Sequence, residues 1–256
     1  MRAAPDEGSQ DGPQGLFLLD TGAQATVIDS QLAAQARLHL GHAVDLAAPG
    51  GDIAARRTGG VVLRLAGGPS ARVDATVTDL SDTARAMGLP LAGVLGVDFL
   101  RRFVVRLDYP AGVVSLTESD ASSPPPADAV PLRFNDLPFA AARVSRGGRT
   151  AEGVFQIDTG SNTAVEFWRP FAQQAFPDAH GAPGQGVGVG GPEATSRGHI
   201  DALEIAGRRI EALTVNFADE TRPSGAGADY AGVIGGPAWA ALVLTLDFPR
   251  RRMWLR

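Results

Sequence analysis

The sequence predicts a mostly β protein built from two similar halves, and three observations lead to this fold class. Apolar and polar residues alternate with a period of two along many short segments, as in strands with one buried face. The tripeptide Asp-Thr-Gly occurs at Asp20–Gly22 and again at Asp158–Gly160, each time after an apolar strand. Between the halves, residues 120–128 are polar and rich in proline, which indicates a linker that cannot pair in a sheet. The predicted domains are therefore residues 1–119 and residues 129–256.

The two halves match at two further places, in the same order and at nearly the same spacing. Gly93–Gly96 and Gly232–Gly235 share a Gly-Val-aliphatic-Gly pattern, and their last glycines lie 76 and 77 residues beyond the aspartates of the two tripeptides. Arg106–Pro110 and Thr245–Pro249 share Leu-Asp-aromatic-Pro, with their aspartates at 88 and 89 residues. Three features in register to within one residue indicate an internal duplication with one carboxylate in each copy.

These residues resemble those of the aspartic proteases, in which each lobe carries Asp-Thr-Gly on a loop supported by a hydrophobic-hydrophobic-Gly segment. Because the lobes are short, the chain is similar to two retropepsin-like units in tandem, as in bacterial proteins of this group. The resemblance covers residues 16–118 and 129–256. It implies two retropepsin-like β-barrel lobes related by pseudo-two-fold symmetry, with the active site between them.

The resemblance assigns one catalytic carboxylate to each lobe, Asp20 and Asp158. The residues that it implies as supports of this pair are Thr21, Gly22, Thr159, Gly160 and Ser161. The threonine hydroxyls would lock the two loops to each other, and the glycines would allow a tight backbone approach. The first loop has Ala23 where the second has Ser161, whose hydroxyl can hydrogen-bond the neighbouring carboxylate. We therefore expect the pair to be asymmetric.

Hydrolysis of a peptide by two carboxylates requires that they share one proton and one water. The ionised partner takes a proton from the water as it attacks the carbonyl, while the protonated partner hydrogen-bonds the carbonyl oxygen. Two carboxylates about 3 Å apart do not both ionise readily, so the titration belongs to the pair and not to either residue. The resemblance thus implies an aspartic endopeptidase that uses no cofactor.

Local patterns predict the remaining elements. We expect short helices at Ser30–Leu38, Asp98–Phe103 and Trp168–Phe176, the first with Ser30 as its N-cap. Hairpin turns are expected at Gly67–Pro69, Arg146–Arg149 and Gly207–Arg209.

The first half begins with fewer strands than the second. Before its Asp-Thr-Gly, the second half has Val130–Phe134 and Phe139–Val144, whereas the first has only the polar segment Met1–Gly15. Something outside residues 16–118 is therefore expected to complete the first sheet. The candidates are Met1–Gly15 folded back as a strand, the C-terminal strand Arg252–Leu255, or a segment upstream of this chain.

Glycine-rich segments about 30 residues beyond each aspartate are candidate flaps, since glycine-rich hairpin tips can move and let a ligand approach the backbone. The candidate residues are Gly50, Gly51, Gly188, Gly190 and Gly191. The second segment does not fit a phosphate loop, because no Lys-Ser/Thr and no helix start follow it.

Composition and charge exclude several other classes of protein. A net charge of −5 and a pI near 5.4 argue against a nucleic-acid partner. The absence of cysteine excludes disulfides, thiolate zinc sites and a cysteine nucleophile. The four histidines lack metal-ligand spacing, and no Gly-x-Ser-x-Gly elbow is present, so neither a metal site nor a serine triad is expected. No apolar run is long enough to span a bilayer.

Alternatives to the protease remain open at this point. Asp108 and Asp247 are interpreted as turn residues, since Asp-aromatic-Pro after a strand is typical turn chemistry. A catalytically inactive peptide- or partner-binding module with the same fold is the main alternative, and carboxylates acting on a glycosidic bond are a weaker one.

The expected partner is a peptide or protein substrate, bound by a monomer with an internal pseudo-dimer. The compartment stays open between export, with a signal absent from this chain, and the cytoplasm.

Overall fold

The computed structural model is mostly β, as predicted. It describes residues 2–6, 12–46, 51–120, 122, 124–179, 181–188, 191–218 and 230–256. Two compact units are present. Unit 1 comprises residues 1–102 and 186–193, and unit 2 comprises residues 103–185 and 194–256.

Unit 1 contains one large sheet and three short helices among its described residues. Its strands are β1 Arg2–Asp6, β2 Gly15–Leu19, β3 Val27–Asp29, β4 Ala43–Leu46, β5 Ile53–Leu65, β6 Ser70–Thr78 and β7 Leu91–Leu95. Its helices are α1 Ser30–Gln35, α2 Ser81–Met87 and α3 Val97–Leu100. The strand order is β1-β2-β7-β3-β6-β5-β4, and β1 also pairs with β5.

The core of unit 1 is built from alternate positions of these strands, because successive side chains point to opposite faces. Phe17, Ile28, Leu63 and Leu95 are almost wholly buried, as is Phe99 from α3. Strand β6 shows the alternation directly, with exposed and buried residues following each other along most of its length.

Unit 2 contains two sheets. Its strands are β8 Val104–Asp108, β9 Val113–Thr117, β10 Val130–Pro131, β11 Arg133–Asn135, β12 Leu137–Arg146, β13 Arg149–Asp158, β14 Val165–Phe167, β15 Ala182–Gly188, β16 Gly191–Ile205, β17 Arg208–Ala218, β18 Tyr230–Gly235, β19 Val243–Asp247 and β20 Arg252–Leu255, of which residues 186–193 belong to unit 1. Helix α4 spans Arg169–Ala175, and a 3₁₀ helix spans Gly236–Trp239. The larger sheet has the order β11-β12-β13-β18-β14-β17-β16-β15, and the smaller has the order β10-β20-β19-β8-β9.

The larger sheet of unit 2 repeats the strand order of the unit 1 sheet. The series β2-β7-β3-β6-β5-β4 has the counterpart β13-β18-β14-β17-β16-β15. The strand that leads into each Asp-Thr-Gly is parallel to the strand of the glycine motif, β7 in one unit and β18 in the other. The next two pairings are antiparallel and then parallel in both sheets. The similar sequence patterns of the two halves therefore form the same topology.

Strands β8 and β9 precede the linker but pair within unit 2. β8 lies antiparallel to β19, with Asp108 opposite Val243 and Val104 opposite Asp247. Its backbone hydrogen bonds are thus made with the end of the chain. The division between the compact units consequently falls after Arg102, earlier than the end of the sequence repeat.

The segment that completes the unit 1 sheet is β1. It pairs antiparallel with β2, with Arg2 opposite Leu16, and with β5, with Ala3 opposite Leu65. The first of the three candidates is therefore confirmed: the N-terminal segment folds back as a strand. The C-terminal strand β20 instead pairs with β10 and β19 in the smaller sheet of unit 2.

Deleting residues 1–11 should destabilise unit 1, because the edges of β2 and β5 would lose their backbone partners. At about 1 kcal/mol for each lost hydrogen bond, we expect the opening free energy of this sheet to fall by about 2 kcal/mol or more. Amide hydrogen exchange measures this: the β2 and β5 amides should exchange faster, while those of β19 and β20 serve as the internal control. Unchanged protection in β2 and β5 would contradict the structural role of β1.

Helices α1, α3 and α4 lie where the sequence predicts helices, but their ends and caps differ from the prediction. α1 begins at Ser30 as expected, but its N-cap is Asp29, so the assignment of Ser30 as the cap is wrong. Asp29 Oδ1 accepts from the Gln31 amide at 2.8 Å, and Oδ2 accepts from the Leu80 amide at 3.0 Å. Helix α2 was not predicted, although Gly88, which has φ of 64°, ends it in the left-handed conformation that favours glycine.

Candidate active site

In unit 1, the Asp20 loop starts at the end of β2 and folds back on itself. The Asp20 amide donates to the Leu95 carbonyl at 3.0 Å, which anchors the loop to β7. Asp20 Oδ1 accepts from the Gly22 amide at 2.7 Å. A carboxylate that accepts an amide two residues ahead closes a tight turn, which explains why Asp and Gly occupy these two positions.

Gly96 supports the first loop from beneath, as the resemblance implies for the hydrophobic-hydrophobic-Gly segment. A Cβ on Gly96 would lie 2.7 Å from the Ala25 carbonyl oxygen and 2.9 Å from the Ala23 carbonyl oxygen. Directly after it, the Val97 amide donates to the Ala23 carbonyl at 2.8 Å. The close approach of two backbones excludes any side chain at this position.

A buried polar contact that the sequence did not predict also holds the first loop. Thr26 Oγ1 donates to Asp98 Oδ1 at 2.7 Å and accepts from the Gly96 amide at 3.2 Å, and Thr26 is fully buried. The second half has Ala164 and Pro237 at the corresponding positions, so this contact is specific to the first half. A hydroxyl-bearing residue six positions beyond Asp20 was the available signal, but nothing local pairs it with Asp98.

In unit 2, the Asp158 loop has the same construction. Asp158 Oδ1 accepts from the Gly160 amide at 2.8 Å and from the Ser161 amide at 3.1 Å. Asp158 lies opposite Gly235 in the parallel pairing of β13 with β18. The Gly235 amide donates to the Ala164 carbonyl at 3.1 Å. A Cβ on Gly235 would overlap the Thr163 carbonyl oxygen, so a glycine is again required beneath the loop.

Ser161 differs from its counterpart Ala23 in what its side chain can do. Its hydroxyl oxygen accepts from the Thr163 amide at 3.3 Å, which leaves the hydroxyl proton available for another acceptor. Ala23 has no side-chain donor. The two loops therefore share a backbone design but differ in side-chain hydrogen bonding, in keeping with the expected asymmetry.

Thr21 and Thr159, the expected supports of the pair, directly follow the aspartates on the backbone turns just described. Thr21 is fully buried, and Thr159 is partly buried. Phe17 and Phe155, in the strands that lead into the two loops, are buried. Each loop is thus attached to a rigid strand whose aromatic side chain packs in the core.

Comparison with known families bears on the first half of the chain. Residues 7–102 match the family described as "gag-polyprotein putative aspartyl protease". This match supports the aspartic protease superfamily. It contains both the Asp20 loop and the Gly96 support, and it ends before the second half begins. No curated protein gives a significant match to the chain.

Two of the five flap candidates, Gly50 and Gly190, lie outside the described residues. Gly51 has φ of 138°, a backbone conformation that favours glycine. Gly188 ends β15 and Gly191 begins β16, so both lie at the facing ends of two consecutive strands.

Tyr109 is a residue beside the Asp158 loop that the sequence did not mark. Its hydroxyl lies 3.7 Å from where a Cβ on Gly236 would be, and Gly236 is bonded through its amide to the Ser161 carbonyl at 3.0 Å. Burial raises the pKa of Tyr109 to about 12, and the negative charge of Asp158 adds to this. The phenol is therefore protonated throughout the range in which carboxylates titrate.

The other aspartates with a repeated motif serve turns, as predicted. Asp108 Oδ1 accepts from the Ala111 amide at 3.1 Å, and Asp247 Oδ1 accepts from the Arg250 amide at 3.1 Å.

Within the described residues, no cluster of three or more acidic, histidine or cysteine side chains could hold a metal ion. Across the same part of the chain, no helix has the length and apolar character needed to cross a membrane.

Proposed function

We propose that the protein is an aspartic endopeptidase in which Asp20 and Asp158 act as a pair on one water. The observation that carries the proposal is the common construction of the two Asp-Thr-Gly turns. In each, Oδ1 of the aspartate accepts from the amide of the glycine two residues on, at 2.7 Å for Asp20 and 2.8 Å for Asp158. In each, a second glycine lies beneath the loop where a side chain would collide with its backbone.

The common strand order of the two sheets supports an origin by duplication and a tandem pair of retropepsin-like lobes. In this proposal the lobes are residues 1–119 and 129–256, joined by residues 120–128, and the protein acts as a monomer on a peptide or protein substrate. The threonines that follow the aspartates lock the loops, as the resemblance to the aspartic proteases implies.

In the proposed reaction, one carboxylate is ionised and takes a proton from the water as it attacks the scissile carbonyl. The protonated partner donates to the carbonyl oxygen and then supplies a proton to the leaving nitrogen. In each loop, the amide bonded to Oδ1 holds the carboxyl group in one orientation. Oδ2 can then be directed to the water and the substrate. The proposal requires no metal or cofactor.

The inactive binding module loses its main support. A first half without strands at its start would favour that alternative, because its loop would lie on an incomplete sheet. Strand β1 supplies the edge pairing, and Asp20, Thr21 and Gly22 sit on a supported turn. The endopeptidase is therefore favoured over the inactive module.

A peptide-library cleavage assay with pepstatin tests the proposal. We expect cleavage of internal peptide bonds that pepstatin abolishes and that chelators leave unchanged. Cleavage resistant to pepstatin, or no cleavage across the library, would contradict the proposed function.

The activity should follow a bell-shaped dependence on pH, because the working state has one carboxylate ionised and one protonated. A hydrogen-bond donor to a carboxylate favours its ionised form, and the first loop lacks the serine hydroxyl of the second. We therefore expect the acidic limb of the activity profile to lie at higher pH than in enzymes with serine in both loops. Initial rates measured across the acid and neutral range in buffers of constant ionic strength check this. An optimum at about pH 2 would contradict the expectation.

A further inference from the structure

Tyr109 is held by backbone contacts that fix its position within unit 2. It follows β8, and its amide donates to the Leu242 carbonyl at 3.3 Å. Its carbonyl accepts from the Gly112 amide at 3.2 Å, which closes the turn into β9. The backbone that carries the side chain is therefore held by Leu242 and by the turn between β8 and β9.

The hydroxyl of Tyr109 reaches the turn that carries Asp158. The nearest neighbours of a Cβ on Gly236 would be the Ser161 carbonyl oxygen at 3.4 Å, the Thr159 carbonyl oxygen at 3.7 Å and the Tyr109 hydroxyl at 3.7 Å. The phenol thus shares the space around Gly236 with residues of the Asp158 loop. Within the described part of the chain, the hydroxyl makes no hydrogen bond to protein. A partly buried tyrosine hydroxyl usually has a hydrogen-bond partner, and bound water is one that it can take.

The second half shows that the turn itself does not need the hydroxyl. Its counterpart of Tyr109 is Phe248, which is buried and packs edge-on against Phe134, with ring centroids 6.1 Å apart. An aromatic ring is sufficient for the packing role at this position. The hydroxyl is therefore a feature of the first half alone, and it lies beside the Asp158 loop of the second half.

The charges around Tyr109 point to Asp158 as its electrostatic partner. Among the described residues, Asp158 is the charged group that acts on the phenol. The neighbouring Asp108 has other partners: its carboxylate pairs with Arg106 at 3.0 Å and accepts from the Ala111 amide. Because the phenol stays protonated, it can act towards Asp158 as a hydrogen-bond donor.

We propose that Tyr109 is a positioning residue of the site, whose hydroxyl donates through a bridging water to the Asp158 carboxylate and favours its ionised form. This inference rests on the proposed function, and it names Asp158 as the member of the pair that carries the charge. A bridging water conveys nearly the strength of a direct hydrogen bond, and a donor to the charged form lowers the pKa of a carboxylate. The single hydroxyl thus adds to the asymmetry that Ser161 begins.

The first test is the pH profile of Tyr109→Phe. Its acidic limb in kcat/KM should move to higher pH by roughly half a unit to one unit, with little change on the alkaline side. Tyr230→Phe is the matched control, because Tyr230 is the other tyrosine of the chain. Its ring stacks on that of Phe139, with the ring centroids 4.1 Å apart. The control should leave the limb in place. An unmoved limb in Tyr109→Phe, or an equal shift in both variants, overturns the proposal.

The second test does not depend on catalysis. In Tyr230→Phe protein labelled with [ζ-¹³C]tyrosine, Tyr109 gives the single tyrosine signal. We expect its chemical shift to follow a titration in the acid range, and we expect this titration to disappear when Asp158→Asn is added. A Tyr109 signal indifferent to Asp158→Asn overturns the proposal even if the protein is an active protease. A signal that responds supports the coupling even if no peptide in the library is cleaved, so the two hypotheses fail separately.

Discussion

Replacing either Asp20 or Asp158 by Asn is expected to remove nearly all peptide hydrolysis while leaving the fold intact. The two carboxylates are proposed to share one proton and one water, so they act as a unit, and each single change should cost about as much as both together. On the order of a 10⁴-fold loss in kcat is expected, as in other catalytic groups whose members cannot work alone. An Asn oxygen can still accept from the amide of Gly22 or Gly160, so the turns that now bond Oδ1 are retained.

Asp79→Asn is the matched control for this experiment. Asp79 Oδ1 accepts from the Ser81 amide at 2.8 Å, the same two-residue turn, but it lies on the exposed surface before α2. The control should hydrolyse peptides at the wild-type rate, and all three variants should keep the wild-type circular dichroism and unfolding midpoint. Substantial hydrolysis in Asp20→Asn or in Asp158→Asn would point to a different catalytic pair.

The features predicted correctly from the sequence are those that short-range constraints determine. The Asp-Thr-Gly turns close through a hydrogen bond between residues two apart, so the tripeptide alone is sufficient to indicate them. The turn Arg146–Arg149 is also local: Gly147 and Gly148 both have positive φ, which a tight hairpin of this kind requires. The mostly β character follows from period-two alternation, which reports directly which residues face the core.

What the sequence left undetermined depends on partners that lie far along the chain. Alternation identifies a strand but not its neighbour, so the pairing of β8 with β19 in unit 2 was not predictable from either segment. The contact of Thr26 with Asp98 joins residues 72 positions apart, and each residue alone reads as an ordinary loop position. Asp29 caps α1 through a local bond from the Gln31 amide, and its second oxygen also accepts from the distant Leu80 amide, a contact that no local pattern contains.

The second large effect is expected at the glycine beneath the Asp158 loop, in the variant Gly235→Ala. The added Cβ would overlap the Thr163 carbonyl oxygen and lie 2.8 Å from Ser161 Cβ, both in the segment that follows the Asp158 turn. Because these neighbours are backbone and the first atom of a side chain, they cannot rotate away. We expect a loss of about 3 kcal/mol in the free energy of unfolding, at the upper end for an overpacked site. Displacement of the loop should also reduce kcat by about 10²-fold.

Gly236→Ala separates the effect of this collision from that of removing any glycine in the same segment. A Cβ on Gly236 would meet its nearest neighbour, the Ser161 carbonyl oxygen, at 3.4 Å, which is an ordinary van der Waals contact. The control should therefore change the free energy of unfolding by less than about 1 kcal/mol, within the range of ordinary substitutions. Denaturant unfolding of both variants measures the difference. If Gly235→Ala and Gly236→Ala unfold at the same denaturant concentration, the loop does not depend on a bare backbone at Gly235. The placement of Asp158 would then have to be explained by the amides of Gly160 and Ser161 alone.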